Sequence, residues 1–231
     1  MNEKWHLWRA DDRPPPLNMA VDELLLENSE FLQDRVLVRI YGWDRPSISI
    51  GYTQKFNAVS SEIGYSIVRR PTGGGIVYHD RDLTYTVVVP ARHPIESLDR
   101  IESYHVFHRA VLRAMSAFGK HGKLADSAVS VPDRATMRCF VTQTKYDVIC
   151  ENRKLAGAAQ RRTKKGILHQ GSISLEVSGG DKSKLAAELI KGFSMEFNVE
   201  FEDFTVPGDF AEAADDLASA KFATDEWNKA K

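Results

Sequence analysis

The sequence predicts an α+β fold with a mixed, mostly antiparallel sheet and flanking helices. Segments whose apolar residues alternate, which is typical of strands, are separated by segments whose apolar residues recur every three or four positions, as in helices. The links between successive predicted strands are too short for parallel crossovers, so most strand pairs should be antiparallel. The chain has 231 residues and shows no internal repeat or linker, so we expect one domain over residues 1–231.

Helices and strands follow one another in a definite order along the chain. Asn18 is expected to cap a first helix that ends at about Asn28, because the apolar spacing between them is helical. A second helix should span about 101–120 and a third about 182–192, with a further helix after Gly208. Strands are predicted at 35–41, 47–51, 66–70, 75–78, 83–89, 146–150, 154–161 and 166–177.

Composition excludes several classes of protein. The 31 Lys and Arg residues nearly balance the 32 Asp and Glu residues, whereas a protein that wraps nucleic acid needs a basic surplus. The longest apolar run is far shorter than the roughly 20 residues of a membrane span, and the N-terminus does not resemble a secretion signal. Two cysteines fit a reducing compartment. We therefore expect a cytoplasmic protein that binds neither nucleic acid nor a membrane.

The first candidate for chemistry is a glycine loop. Arg69 and Arg70 closely precede three consecutive glycines, Gly73, Gly74 and Gly75. Glycines expose backbone N–H groups to which a ligand oxygen can come close, and the arginines add positive charge. The alternative is a hairpin turn with solvated arginines. The pattern matches neither the dinucleotide fingerprint nor the phosphate-binding loop.

The two cysteines and one lysine form the second candidate. Cys150 falls on the apolar face of a predicted strand, so we assign it to the core. Cys139 follows Arg138 at a loop-to-strand junction, and nearby positive charge lowers a thiol pKa and favours the reactive thiolate. Lys154 begins a run of small residues and should project where something approaches the backbone closely. The alternatives are an inert buried thiol for Cys139 and a solvated surface lysine for Lys154.

The histidines predict no metal site. His105 and His108 lie three positions apart on the second predicted helix, but no third ligand pattern accompanies them. His169 and Ser172 do not form a catalytic triad, because the chain has no nucleophile elbow of the form GxSxG.

These separate signals combine into a family resemblance. The segments at 69–79, 83–85, 154–160 and 169–172, with 18–23 and 49–54 before them, resemble the biotin/lipoate protein ligase and octanoyltransferase superfamily. The resemblance covers about residues 8–175 in the right order. It implies a ligase-type catalytic domain, a tunnel for a medium-length acyl chain, and convergence of the glycine loop and Lys154 on the acyl carbonyl. Its implied substrate-binding residues are Arg69, Arg70, Thr72, Gly73, Gly74, Gly75, His79, Gly157, Ala158 and His169.

The branch of the superfamily depends on Cys139. Lipoate ligases activate a free acid with ATP and need no cysteine, whereas octanoyltransferases take the acyl group from a carrier protein through a cysteine. The Cys139-Phe140 pair and its spacing to Lys154 resemble the LipM-type octanoyltransferases and their amidotransferase relatives. The residues after Ser174 are also too few for the accessory domain that bacterial lipoate ligases usually carry. The resemblance thus implies Cys139 and Lys154 as catalytic residues, with no cofactor.

The implied reaction moves an octanoyl group from octanoyl-acyl carrier protein to a lysine of a lipoyl domain, in the glycine-cleavage carrier protein or a dehydrogenase E2. We expect the enzyme to be a monomer. Three alternatives stay open: an ATP-dependent lipoate-protein ligase, a lipoyl-domain amidotransferase, and a non-catalytic binding module that retains the fold.

Charge is distributed unevenly along the chain. Residues 153–165 contain six basic residues and no acid, whereas residues 196–216 contain eight acids and no base. The basic segment could dock an acidic carrier protein or lipoyl domain by charge complementarity. The alternative is a solvated hairpin whose lysines discourage strand pairing.

Overall fold

The computed structural model describes residues 2–127 and 144–230. The strands are β1 (Glu3–Arg13), β2 (Leu37–Trp43), β3 (Ser47–Ile50), β4 (Ser66–Arg69), β5 (Val77–His79), β6 (Asp82–Pro90), β7 (Lys123–Leu124), β8 (Val148–Cys150), β9 (Arg153–Thr163), β10 (Gly166–Ser174) and β11 (Val199–Asp203). The α-helices are α1 (Pro15–Glu27), α2 (Arg100–Ser116), α3 (Lys182–Phe197), α4 (Phe210–Leu217) and α5 (Asp225–Asn228). A π-helical turn, Ala218–Phe222, follows α4.

The strands form two sheets. The large sheet has the order β11-β1-β2-β6-β10-β9-β8-β7, and the small sheet has the order β4-β3-β5. Five of the seven neighbouring pairs of the large sheet are antiparallel, and β1 pairs in parallel with both β2 and β11. In the small sheet, β3 is parallel to β4 and antiparallel to β5. The predicted mixed, mostly antiparallel α+β fold is confirmed.

Helices cover both faces of the large sheet. Alternate residues of a strand point to opposite faces, and in β6 Val87 and Val89 join the core with α2 and α3, whereas Val88 packs with α1 and α4. A Cβ on Gly192 of α3 would collide with the backbone of α2, so this glycine permits close packing of the two helices. Within the described ranges, no helix is both long and apolar enough to span a membrane.

The predicted start of the first helix is wrong. The helix begins at Pro15, three residues before Asn18, because the fixed φ of proline suits the first helical turn, where its missing N–H is not needed. Asn18 is fully buried inside the helix. Its side-chain amide donates to the carbonyl of Gly42 over 2.8 Å, and its Oδ1 accepts from Arg39 over 2.6 Å.

The sequence analysis also predicted neither β1 nor β11, the two strands that form the parallel edge of the large sheet. In β1, the buried residues Trp5 and Leu7 alternate with more exposed residues. This local pattern could have predicted the strand. β11 is short and lies almost two hundred residues away from its partner β1. The predicted strand at 146–150 begins only at Val148, because Tyr146 has a φ of +68° and belongs to a turn.

Candidate active site

A cavity lies between the two sheets, with about 410 Å³ of empty space that includes its solvent-open part. The large sheet contributes residues of β2, β6, β10 and β9, and the small sheet, the glycine loop and α1 contribute the rest. The lining residues are Met19, Tyr41, Trp43, Ser49, Arg70, Gly74, Gly75, Val77, His79, Thr84, Gly157, Ala158, Ala159, Gln170, Gly171 and Ser172.

Arg70 organises the glycine loop from inside. Its guanidinium donates to the carbonyl oxygens of Gly73 and Gly75, each over 2.6 Å, and to the carbonyl oxygen of Ser49 over 3.0 Å. Gly74 has a φ of +84°, which a residue with a Cβ rarely adopts. The loop therefore folds around the Arg70 side chain, and Gly74 faces the cavity.

Arg69 points the other way, as expected for the preceding residue of a strand. Its guanidinium donates to the carbonyl oxygens of Gly51, Tyr52 and Gln54 and to those of Trp227 and Asn228. It does not line the cavity. The two adjacent arginines thus have different surroundings, which the sequence reading did not anticipate.

A buried polar chain links the glycine loop to the core. Thr72 Oγ1 donates to Gln170 Oε1 over 2.6 Å, and Gln170 Nε2 donates to Asp22 Oδ2 over 2.7 Å. Asp22 in turn forms an ion pair of 2.6 Å with Arg39. Thr72 is therefore behind the cavity wall, where it fixes Gln170, a lining residue. Burial raises the pKa of Tyr41, which donates to the same carboxylate and stays neutral.

His79 forms part of the cavity wall and is held on three sides. Its Nδ1 donates to Asp82 Oδ2 over 2.8 Å, its Nε2 lies 2.8 Å from Ser49 Oγ, and its ring stacks on Trp43 at 4.0 Å. Burial acts to raise the pKa of Asp82, but the His79 ring and hydrogen bonds from His79 and Ser172 outweigh it and lower the pKa. Asp82 therefore remains a carboxylate that fixes the histidine ring.

Lys154 forms a buried ion pair with Asp147. The two groups are 2.7 Å apart, and their side chains are 5% and 1% exposed. The Asp147 carboxylate also accepts hydrogen bonds from the backbone N–H and the hydroxyl of Thr144. A Cβ on Gly157 would lie 2.5 Å from Lys154 Cε and 2.7 Å from Nζ. The lysine thus lies against the bare backbone of a glycine that lines the cavity, as the run of small residues predicted.

His169 lies on the opposite face of the sheet. It is fully buried, accepts a hydrogen bond of 2.9 Å from Gln160, and contacts the rings of Phe107 and His108 on α2. Burial lowers its pKa well below the usual value, so it remains neutral. It is not among the residues that line the cavity.

The structure separates the predicted site residues into groups. Arg70, Gly74, Gly75, His79, Gly157 and Ala158 line the cavity, and Lys154 lies directly against it. Thr72 and Gly73 support it from behind, and Arg69 and His169 point elsewhere. Cys139 lies outside the described residues. Cys150 is buried in the core, as predicted.

The sequence reading missed three supporting side chains. Asp147, Asp22 and Arg39 are buried charges whose roles depend on partners in space. A charged residue directly before the apolar residues 148–150 was a usable signal for Asp147. In residues 2–127 and 144–230, no cluster of three potential metal ligands occurs.

Part of the uneven charge along the chain is balanced by ion pairs in space. In the basic segment, Arg153 pairs with Glu176, and Arg161 lies 3.5 Å from Glu23. In the acidic segment, Glu196 pairs with two arginines of α2, and Glu202 pairs with Lys4 and Arg35. These pairs fit the interpretation of a solvated hairpin, and the docking of an acidic partner on the basic segment stays a prediction.

Comparison with known proteins places the chain in a family. The lipoyl protein ligase A/B catalytic domain matches residues 14–196. Octanoyltransferase LipM of Geobacillus kaustophilus is 32% identical, in an alignment that covers 96% of this chain and 98% of that protein. The solved structure of protein Ta0514 from T. acidophilum has a TM-score of 0.81 at 23% identity, and covers 99% of this chain and 100% of its own.

A second solved structure is that of an archaeal lipoylation system, a bi-partite lipoate protein ligase and its E2 lipoyl domain from Thermoplasma acidophilum. Its TM-score is 0.72 at 20% identity, with 98% of this chain and 96% of that chain covered. At this identity the two structures show the shared fold. The match to residues 14–196 and the 32% identity to octanoyltransferase LipM establish that the chain belongs to the lipoyl protein ligase A/B catalytic domain family.

Proposed function

We propose that this protein is an octanoyltransferase that moves an octanoyl group from acyl carrier protein, through a thioester on Cys139, to a lysine of a lipoyl domain. The observation that carries the proposal is the cavity between the sheets, with the Lys154–Asp147 ion pair against one end of it. The near full-length similarity to an octanoyltransferase LipM supports the same reaction.

The floor of the cavity is long enough for a medium-length acyl chain. Its floor crosses four neighbouring strands, from Gly157 on β9 through Ser172 on β10 and Thr84 on β6 to Trp43 on β2. Three interstrand spacings amount to about 14 Å, which is longer than an extended eight-carbon chain. Burying six methylene groups contributes about 5 kcal/mol of transfer free energy. We therefore place the acyl carbonyl near Gly157 and the methyl end near Trp43.

In the first step, the Cys139 thiolate attacks the thioester carbon of the octanoyl carrier protein. Backbone N–H groups near Gly74 and Gly157, which line the cavity, would stabilise the oxyanion. The carbon–sulfur bond to the carrier then breaks, and Lys154 gives its proton to the leaving carrier thiolate. The products are an octanoyl-cysteine and a neutral lysine.

In the second step, the amine of the acceptor lysine attacks the octanoyl-cysteine. Lys154, neutral after the first step, takes the proton that the amine loses, and Cys139 leaves as a thiolate. Atoms and charges are thus restored after one cycle, and neither a metal nor a nucleotide enters the reaction. Asp147 would hold the lysine in place through both proton transfers.

Membership of a lipoylation family implies acyl and lipoyl-domain substrates. Our proposal is narrower: octanoyl-acyl carrier protein is the donor, and the acceptor is the glycine-cleavage carrier protein or a dehydrogenase E2. We also propose that residues 1–231 act as one catalytic domain and that the protein works as a monomer in the cytoplasm.

The test is to incubate the protein with octanoyl-acyl carrier protein and to measure its intact mass. We expect a single octanoyl adduct that disappears when a lipoyl domain is added, and no adduct on Cys139→Ala. An adduct on Cys139→Ala would show that the nucleophile is a different residue. Modification of the lipoyl domain by ATP and free octanoate or lipoate, unaffected by Cys139→Ser, would show a ligase.

Separate donors distinguish the remaining alternative. Octanoylated glycine-cleavage carrier protein, given without acyl carrier protein, should leave the enzyme unmodified. Rapid acyl transfer from that donor to an E2 lipoyl domain would instead identify an amidotransferase.

A further inference from the structure

We infer that Trp227 and Asn228, near the C-terminal end of the chain, are positioning residues for the glycine loop of the acyl cavity. Neither residue lines the cavity. They act through Arg69, the last residue of the edge strand β4, and through the turn at 51–54, whose Gly51 packs on Gly74. The inference rests on the proposed function for its kinetic consequence but not for its structural one.

The two residues close the open edge of β4. That strand has β3 on one side, and on the other side the backbone N–H of Arg69 donates to Asn228 Oδ1 over 2.7 Å. Trp227 Nε1 donates to the carbonyl oxygen of Arg69 over 2.8 Å. Two successive side chains of α5 thus bind both backbone polar groups of one residue, as a neighbouring strand would.

Arg69 returns these contacts with its side chain. Its guanidinium donates to the carbonyl oxygens of Trp227 over 3.1 Å and of Asn228 over 2.8 Å. The side-chain amide of Asn228 donates to the carbonyl oxygens of Phe222 and Thr224. Because backbone and side chain bind in both directions, α5 and the end of β4 form one locked unit, which we call the C-terminal clamp.

The clamp is connected to the glycine loop by one further step. The Arg69 guanidinium donates to the carbonyl oxygen of Gln54 over 2.6 Å and to that of Gly51 over 3.1 Å. Gly51 packs so closely on the carbonyl oxygen of Gly74 that a Cβ there would collide with it. The backbone N–H of Tyr52 donates to the carbonyl oxygen of Thr72 over 2.8 Å.

A second route reaches the cavity through the core. Phe222, whose ring lies edge-on to Trp227 at 5.5 Å, is fully buried in a cluster with Met19 and Val68. Met19 lines the acyl cavity, and Val68 precedes Arg69 on β4. The clamp is therefore connected by contacts both to the glycine loop and to the cavity wall.

In the part of the chain that the structure describes, Trp227 and Asn228 are not among the residues that line the acyl cavity, so their loss should move the loop rather than remove a catalytic group. A misplacement of about 1 Å in a site can lower the rate by about 10²-fold. The clamp variants should therefore reduce kcat by between about tenfold and 10²-fold, with little change in KM for the carrier protein.

The test compares Trp227→Phe and Asn228→Ala with wild type. Trp227→Phe keeps the aromatic packing and removes the N–H donor, so it should fold. Glu226→Ala, an exposed neighbour on the same helix, is the matched control. Hydrogen–deuterium exchange of residues 51–54 and 69–75 is measured with thermal stability, and the rate of octanoyl transfer is measured at saturating donor.

We expect faster exchange in both segments for the two clamp variants, a lower kcat, and wild-type behaviour for Glu226→Ala. Unchanged exchange in 51–54, or in 72–75, the part of the second segment that the clamp does not contact directly, would overturn the inference. So would faster exchange with an unchanged kcat, or a loss of kcat no larger than the loss of folded protein. If wild type itself does not transfer octanoate, the proposed function fails, and the exchange measurement still decides whether the clamp positions the loop.

Discussion

A buried ion pair lies at each end of the cavity, and the two pairs differ in their cation and in their surroundings. Behind the end formed by β2, the Arg39 guanidinium lies 2.6 Å from Asp22, and both side chains are fully buried. Beside the end formed by β9, Lys154 lies 2.7 Å from Asp147 and is slightly exposed. Arginine remains charged and planar, whereas lysine is compact and can lose its proton. The first pair is suited to architecture and the second to proton transfer.

The hydrogen-bond partners of the two carboxylates also differ. Asp22 also accepts hydrogen bonds from Tyr41, Thr86 and Gln170, which belong to three different strands. Asp147 accepts from Thr144, three residues away, besides Lys154. The Asp22 carboxylate therefore binds side chains from distant segments, whereas Asp147 binds Thr144 and Lys154, which are near it in sequence.

The largest expected effect comes from breaking the pair at the β9 end. We expect Lys154→Met to lower the rate of octanoyl transfer by about 10²- to 10⁴-fold, the usual contribution of a positioned proton carrier. The measurement is single-turnover octanoylation of a lipoyl domain. Lys164→Met, at an exposed lysine of the same hairpin, is the control and should transfer normally.

Removing Lys154 also leaves Asp147 buried without its cation, which costs about 3–5 kcal/mol of stability. Gly157→Ala separates the two effects, because it keeps both charges while its Cβ would displace the lysine ammonium. We expect it to slow transfer as well. Wild-type rates in both variants would show that the pair is architectural at this end too.

Breaking the pair at the β2 end should affect folding first. Asp22→Asn leaves the Arg39 guanidinium buried without a counter-charge, so we expect a loss of about 3–5 kcal/mol in the free energy of unfolding. In a protein of this size that lowers Tm by on the order of 10 °C. Urea unfolding measures it. Asp203→Asn, which breaks the exposed pair with Arg9, should change stability by less than about 1 kcal/mol.

Two buried histidines contrast with the two buried ion pairs, because a histidine can be buried as a neutral ring. Burial lowers the pKa of both His108 and His169. Below about pH 6.5, the unfolded chain therefore binds protons that the folded protein excludes, so stability falls as the pH falls. We expect a slope of up to about 1.4 kcal/mol per pH unit for each histidine.

Urea unfolding between pH 7.5 and 5.5 measures this slope. His169→Gln should make it shallower, whereas His121→Gln, at an exposed position, should leave it unchanged. A stability that does not change with pH in wild type would contradict the assignment of neutral buried rings.

Much of this arrangement could be predicted from the sequence, and the exceptions have physical reasons. Local periodicity located most strands and helices, and the run of small residues after Lys154 correctly indicated a close approach to the backbone. Strand alternation puts neighbouring residues such as Arg69 and Arg70 on opposite sides, but the sequence analysis assigned both to the substrate, and nothing local decides which side holds the cavity. The pairing of β1 with β11 and the clamp on Arg69 depend on contacts between distant segments, which periodicity cannot show.

The smallest expected effect concerns the end of the cavity floor that Trp43 forms. Trp43 stacks on His79 at 4.0 Å, and its Nε1 donates to Thr84 over 2.9 Å, so its ring is fixed where β2 ends the cavity floor.

Trp43→Ala should open room for a longer chain. Each added methylene that becomes buried contributes about 0.8 kcal/mol, roughly a fourfold gain in binding. We therefore expect the ratio of decanoyl to octanoyl transfer, measured with the two acyl carrier proteins in competition, to rise up to about tenfold. Because the ratio compares two donors on the same enzyme, a general loss of folded protein cancels from it. An unchanged ratio would mean that the methyl end does not lie against Trp43, and that the acyl chain does not run from the Lys154 pair towards the Arg39 pair.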